Sequence, residues 1–317
     1  GFLTLPCINE CSESYQQYLC GKNGIVRKWL RLGAAGWRLD VADELTDPLL
    51  ERIAEAAKEE KSDALILGEV WEDASNKIAY GQRRRYFQGR QLHSVMNYPF
   101  RSAVLGFFTG MRAKDAMEIL LTVQENYPPQ VLRCLMNHLG THDTERALTV
   151  LGGEALNGRD REWQSRQRLS PTQRGIALRR LRGASLMQYT LPGVPCIYYG
   201  DEAGMEGYRD PFNRRCFPWG KEDAALTEWY RSLARLRQTA RAALEDSPLV
   251  PVAAFRRCLC YIRQGKTQRL LIALNSGSAA EQITLPAGWE KATCLLGESP
   301  SGSILTLPPI GFSALLL

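Results

Sequence analysis

No stretch of this sequence approaches the roughly 18–20 consecutive apolar residues of a membrane-spanning helix. The longest apolar run, around Leu270-Leu271-Ile272-Ala273-Leu274, suits a buried strand, and no membrane partner is expected. A disulfide framework is also lacking: the nine cysteines are odd in number and irregular in spacing. Cys258-x-Cys260 is too tight for the usual zinc pair, and Cys7, Cys11 and Cys20 have no His or Cys at finger spacing. Several cysteines lie in apolar surroundings, as in Pro195-Cys196-Ile197-Tyr198, so buried reduced thiols and a cytoplasmic location are expected. Gly1-Phe2-Leu3-Thr4-Leu5-Pro6 carries neither an initiator Met nor a signal-peptide pattern and reads as the middle of something longer. The chain also lacks a phosphate loop, a Ser nucleophile elbow and a metal-ligand cluster, so neither a metal nor a cofactor is expected. Strong charge is absent, since 40 Lys and Arg against 34 Asp and Glu leave +6. The densest basic parts, Arg83-Arg84-Arg85 and Arg179-Arg180 with Arg182, come without a helix-turn-helix or zinc-knuckle pattern. They read as solvated surface, and no nucleic-acid partner is expected.

What is present fits an ordinary globular chain: 317 residues, 44% hydrophobic and 23% charged. Such a length buries about three-quarters of its unfolded surface without needing disulfides. Short β-like runs alternate with helical spacing through the first three-quarters. Ile25, Val26, Trp29, Leu30 and Leu32 form a helical pattern, stopped at Gly33-Ala34-Ala35-Gly36, and Trp37–Val41 follows as a strand. Asp47-Pro48 opens a helix carrying Leu49, Leu50, Ile53, Ala54 and Ala57. Ala64–Val70 is the next strand, a continuous apolar run of the kind buried in a parallel sheet. Ser94–Met96, Leu135–Leu139 and Pro195–Tyr199 are further strands; Ser170-Pro171 opens a helix, and a long helix covers Ala224–Leu244. This alternation predicts a parallel α/β sheet or barrel. Beyond Glu245 short strands separated by Gly, Ser and Pro predict a small antiparallel β domain.

Two of the predicted parallel strands run out in carboxylates, Asp40 after Leu39 and Glu69 in Gly68-Glu69-Val70. His142-Asp143 follows a third strand. In a barrel of parallel strands the carboxyl ends share one mouth, so these acids would meet there. Converging carboxylates suggest glycoside hydrolysis, in which one attacks the anomeric carbon and another protonates the leaving oxygen. Taken singly, each such carboxylate is more often a member of a structural ion pair.

The motifs in their order resemble the α-amylase superfamily, glycoside hydrolase family 13, in its neopullulanase, cyclomaltodextrinase and maltogenic amylase branch. Gly36-Trp37-Arg38-Leu39-Asp40-Val41-Ala42-Asp43-Glu44 resembles the motif of the family's fourth barrel strand, and Leu67-Gly68-Glu69-Val70-Trp71 that of the fifth. Leu139-Gly140-Thr141-His142-Asp143 resembles the seventh, and Gly193–Glu202 the eighth. Leu5-Pro6-Cys7-Ile8-Asn9 is similar to the short motif before the fourth strand, and Asp210-Pro211-Phe212-Asn213-Arg214 to a sugar-binding loop.

The resemblance implies a partial (β/α)8 TIM barrel, strands four to eight, over residues 1–244. A small antiparallel β-sandwich follows over 245–317. It implies Asp40 as nucleophile, Glu69 as acid/base and Asp143 as transition-state stabiliser of a retaining α-glucan hydrolase. Arg38, His142, Glu44, Trp71, Asp210 and Arg214 would contact substrate. Tyr208 is a further candidate for stacking on sugar, Trp37 is favoured as core packing over that role, and His93 and His138 match no catalytic position and read as structural. Asp43 stands where this branch usually has Asn, which bears on the leaving-group side. The partner is an α-glucan: starch, pullulan, cyclodextrin or maltodextrin, cleaved at α-1,4 and also α-1,6 bonds. Motifs of the first three strands have no counterpart, so a missing N-terminal part of the same enzyme is a second expected partner, with a homo-oligomer as another route to completion. Without it the acids would sit in an open barrel, a silent glucan-binding scaffold. A transglycosylase, passing the same covalent intermediate to a sugar, is the third reading.

Overall fold

The computed structural model describes residues 3–4 and 6–317. Its contacts divide them into two compact units: the residues up to Tyr98 with Asn126–Met136, and Pro99–Glu125 with Asn137–Leu317.

The first unit is built on a parallel sheet, β1 (Gly36–Leu39), β2 (Leu65–Gly68) and β3 (Ser94–Val95), in that spatial order. Gly36 pairs with Leu65, Leu39 with Gly68, and Gly68 in turn with Val95. Two short helices, α1 (Glu13–Cys20) and α2 (Ile25–Arg31), precede the sheet, and α3 (Asp47–Glu60) links β1 to β2. Pro48 sits in the first turn of α3, where its missing N–H costs nothing. Leu49, Leu50, Ile53, Ala56 and Ala57 form the buried stripe of α3; the predicted Ala54 lies beside it and Ala56 takes its place. The run expected to be buried throughout is not, since Leu65 is exposed while Ile66, Leu67 and Val70 are covered. All four residues of β1 are half-buried, and among the described residues β1 has one strand neighbour, β2. Each strand is shorter than its apolar run. The residues that follow, Asp40-Val41 and Glu69-Val70, leave the sheet pairing, which places the acids in the turns at the strand ends.

The second unit holds α4 (Tyr98–Thr109) beyond its first residue, α5 (Ala113–Asn126) up to its last, α6 (Pro171–Thr190), α7 (Ala224–Thr239) and β5 (Val194–Cys196), which pairs with β4 (Met136–His138). Ser170 and Gln173 form a reciprocal capping box at the start of α6. The last eight residues of α6, Gly183–Thr190, are all buried, so this helix ends inside the core rather than along its surface.

Strands β6 (Leu249–Phe255), β7 (Cys258–Gln264), β8 (Arg269–Asn275), β9 (Glu281–Thr284), β10 (Thr293–Gly297), β11 (Ile304–Leu307) and β12 (Phe312–Leu316) follow. Five of them form an antiparallel sheet in the order β10-β12-β8-β7-β6, and β9 pairs with β11. Period-two alternation gives the larger sheet two dry faces. Leu259, Tyr261, Leu270, Ile272 and Leu274 join the helical core, while Cys258, Cys260, Ile262, Leu271 and Ala273 pack with Ile283, Trp289, Leu305 and Leu307. Tyr261 closes the first face with a 2.6 Å hydrogen bond to the Thr190 hydroxyl at the end of α6. Sequence reading missed β12, which lies between β10 and β8, because Ser313 interrupts a short apolar run preceded by Gly311. All nine cysteines are free, and burial pushes the Cys258 thiol up to about 11. Among the described residues no helix is long and apolar enough to cross a membrane.

Gly36 is fixed by close approach: a Cβ there would lie 2.0 Å from the Leu65 carbonyl oxygen. Gly36→Ala is therefore expected to push β1 away from β2 and to lower unfolding free energy by about 1–3 kcal/mol, measured by urea denaturation.

Candidate active site

Arg38, the third residue of β1, reaches past the strand end and holds two acids at once. One terminal nitrogen pairs with Asp40 and the other lies 2.9 Å from Glu69 Oε1. The alternation of β1 puts Arg38 and Asp40 on the same side, and the parallel neighbour β2 brings Glu69 alongside. The two acids differ sharply in exposure: the Asp40 side chain is 70% accessible and that of Glu69 is 4%. Glu69 is also the more constrained. The Val41 N–H donates to its Oε2 (3.0 Å), and Trp71 Nε1 (3.3 Å) and the Tyr98 hydroxyl (3.5 Å) donate to its Oε1. Val41 reaches that position at φ +45°, a left-handed conformation that β-branched residues rarely adopt. The strain is held in place by backbone bonds between the two turns, Ala42 N–H to Glu69 O (3.0 Å) and Glu69 N–H to Leu39 O (2.9 Å). Trp71 lies flat on Tyr98 with ring centroids 4.6 Å apart, and it keeps nearly half its surface open.

Tyr98 was not among the expected site residues. The signal was available: Ser94–Met96 reads as a strand, and the strand-end rule that selects Asp40 and Glu69 selects Asn97-Tyr98 too. Glu44 accepts a hydrogen bond from Tyr80, whereas Asp43, in the unusual slot beside it, pairs with Lys77 at 3.1 Å. Trp37 donates to the Val26 carbonyl at 3.2 Å and so serves packing. His93 accepts from the Ile66 N–H at 2.9 Å and stitches β2 to the segment before β3. Leu5 of the Leu5–Asn9 motif lies outside the described residues, and Cys7 and Ile8 are exposed.

The second unit gathers another group of expected residues. Asp143 accepts from His142 Nε2 (3.0 Å) and from Arg214 (3.3 Å). The Arg214 Nε–H is shared between the His142 carbonyl (2.9 Å) and Asp210 (3.1 Å). Asn213 latches the turn from below, donating to the carbonyls of His142 (2.7 Å) and Thr144 (2.8 Å). Under Asn213 lies Arg146, whose side chain is fully buried. Its Nε donates to the Asn213 carbonyl (2.8 Å), and its guanidinium stands 4.2 Å from the Tyr198 ring centre and 3.3 Å from Asp201. Burial pushes the Asp201 carboxyl up, against the opposing pull of Arg146. Tyr208 is buried and donates to the Glu154 carbonyl at 2.8 Å, so it supports this loop and offers no open ring to a sugar. Among the described residues no group of three or more His, Cys, Asp or Glu is arranged to hold a metal.

Residues 2–247 match the family model described as the catalytic domain of α-amylase. The chain belongs to the α-amylase family. It is similar to the cyclomaltodextrinase of Geobacillus thermopakistaniensis, 33% identical over 97% of this chain and 49% of that protein. It is also similar to neopullulanase 2 of Thermoactinomyces vulgaris, 33% identical over 94% of this chain and 46% of that one. The solved structure of the type III pullulan hydrolase from Thermococcus kodakarensis superposes with a TM-score of 0.80 at 26% identity, covering 97% of this chain and 49% of that one. The chain thus spans about half the length of these relatives. Membership of the α-amylase family makes the α/β portion a partial TIM-barrel-like fold followed by a β-rich domain.

His138, on β4 ahead of the His142-Asp143 turn, is fully buried, and burial pushes its pKa down from 6.5 to about 3, with Arg101 adding to the shift. The unfolded chain then binds the extra proton, so stability is full above pH 6.5 and lost as pH falls toward 3. This histidine alone should contribute a slope of up to about 1.4 kcal/mol per pH unit in that window. Urea midpoints followed against pH are expected to show the slope, and His138→Gln to flatten it.

Proposed function

We propose that this chain carries the catalytic acids of a retaining α-glucan hydrolase. The observation that carries the reading is the shared Arg38: one guanidinium between an open carboxylate and a sheltered one. In this reading Asp40 attacks the anomeric carbon as the glycosidic bond breaks. Glu69 gives its proton to the departing oxygen, then takes one from the water that frees the sugar, so configuration is retained. Val41, Trp71 and Tyr98 fix the Glu69 carboxyl in place, so no reorganisation is needed as the bond breaks. Trp71, with its open ring, stacks on a sugar beside Glu69.

Asp143 and His142 take hydroxyls of the distorted ring, contacts that tighten as positive charge develops. Asp210 and Arg214 hold the sugar on the non-reducing side, and Glu44 reaches the leaving-group side. The substrates are cyclodextrins, pullulan and maltodextrins, in line with the names of the relatives, through α-1,4 bonds and also α-1,6 bonds. A fluorinated glycosyl donor should label Asp40, identified by peptide mass, and Asp40→Asn should abolish labelling and turnover while keeping glucan binding. Label on any other carboxylate would overturn the assignment, and product analysis decides between water and sugar as acceptor.

The half-buried β1 edge supports a second element of the proposal. A strand paired on one side leaves a row of backbone groups open. We infer that further barrel strands, from a longer chain, cover this edge and bring groups that orient the bound sugar. Residues 1–317 alone should then turn over an activated maltooligosaccharide about a hundredfold or more slower than the same chain supplied with the preceding strands. Equal rates would show that the edge needs no cover.

A further inference from the structure

Between Glu69 and β3 the chain makes a hairpin, Ile78–Ala79 against Gln82–Arg83. Its two-residue turn is Tyr80-Gly81, with φ +53° and +75°. Both central residues at positive φ make a turn that favours Asn-Gly, because a bulky side chain crowds its own backbone there. A tyrosine in this place is strained, and packing does not account for it, since Tyr80 is 78% exposed. A strained, open aromatic is an outlier of the kind that gathers at binding sites.

The contacts of the hairpin point to which site. The Tyr80 hydroxyl donates to Glu44 Oε2, and Glu44 lies in the turn that begins at Asp40. The base of the hairpin is tied to the same turn. Lys77 bridges Asp43 (3.1 Å) and Glu72, the Arg84 N–H bonds the Lys77 carbonyl (2.9 Å), and the Arg84 side chain bonds the Leu45 carbonyl (2.5 Å) and Asp47 (3.3 Å). The arm is therefore anchored to both turns that carry the acids. Asp43, where the branch usually has Asn, is engaged by Lys77.

We propose that Tyr80 is the platform for the first sugar on the leaving-group side, with Glu44 holding the ring in place and accepting a sugar hydroxyl. This rests on the reading of the chain as an α-glucan hydrolase. The apolar C–H face of a glucosyl unit stacks on the open tyrosine ring, and the polar rim meets the carboxylate. Tyr80 is then a specificity-determining residue: it selects substrates whose leaving group is itself a sugar, and the same platform seats a sugar acceptor.

Tyr80→Asn separates this role from a structural one, because Asn fits the turn better while removing the ring. In the full-length enzyme, the variant should melt no lower than the parent. Its kcat/KM for maltotetraose, relative to that for maltosyl fluoride, should fall about tenfold, chiefly through KM. Tyr80→Trp should restore most of the loss. An unchanged ratio in Tyr80→Asn would overturn the proposal. Should no substrate be turned over at all, the hydrolase reading fails by itself, and calorimetry with maltotetraose still decides: about tenfold weaker binding in Tyr80→Asn supports the platform, and equal binding refutes it.

Discussion

The pairing of Arg38 with both Asp40 and Glu69 is the constraint around which the first unit is arranged. Two carboxylates side by side repel, and one guanidinium between them removes that cost while fixing their separation. For the arginine to reach both, β1 and β2 must be parallel neighbours in register, which requires Gly36 to admit the Leu65 carbonyl. The turn after β1 must also fold back so that the Val41 N–H meets Glu69, and the protein tolerates a left-handed valine to achieve it. Sheet register, glycine and strained turn thus answer to one electrostatic arrangement.

The second unit solves a similar problem with a different device. Its acid, Asp143, sits on a turn whose carbonyls are occupied by Asn213 and Arg214, and that latch rests on a fully buried arginine. A buried guanidinium is tolerated when carbonyls, an acid and aromatic faces surround it, as the Asn213 carbonyl, Asp201 and Tyr198 do here. Arg146 and Asp201 therefore act on the turn through its supports and not by touching a substrate.

Much of this was legible in the sequence because strand ends and acids coincide: Leu39-Asp40 and Gly68-Glu69 mark their own positions once β-α alternation is seen. The helix α3 was readable from Asp47-Pro48 and its apolar spacing, apart from the exchange of Ala54 for Ala56. What sequence could not give were contacts made by residues with no periodic signal. Tyr98 follows a two-residue strand, and the Tyr80 hairpin has a turn sequence that ordinary turn rules do not select. Tyr208 looked like an open sugar platform, but Trp163 and the Glu154 carbonyl enclose it. The strand β12 escaped notice since a glycine and a serine hide a segment whose neighbours on both sides supply its burial.

That strand has a consequence for how the protein is made. β12 comes last in chain order among these strands, yet it lies between β8 and β10 in the sheet. During synthesis β6, β7 and β8 can pair as they emerge, each with its sequence neighbour, but β10 has no partner until β12 appears. The backbone edge of β8 that pairs with β12 therefore stays open from the synthesis of β8 until β12 has been made. Within this sheet, strands can pair in chain order only up to β8, and β12 must enter between two strands made before it. Ribosome pausing or chaperone capture between the synthesis of β8 and that of β12 would act on that gap.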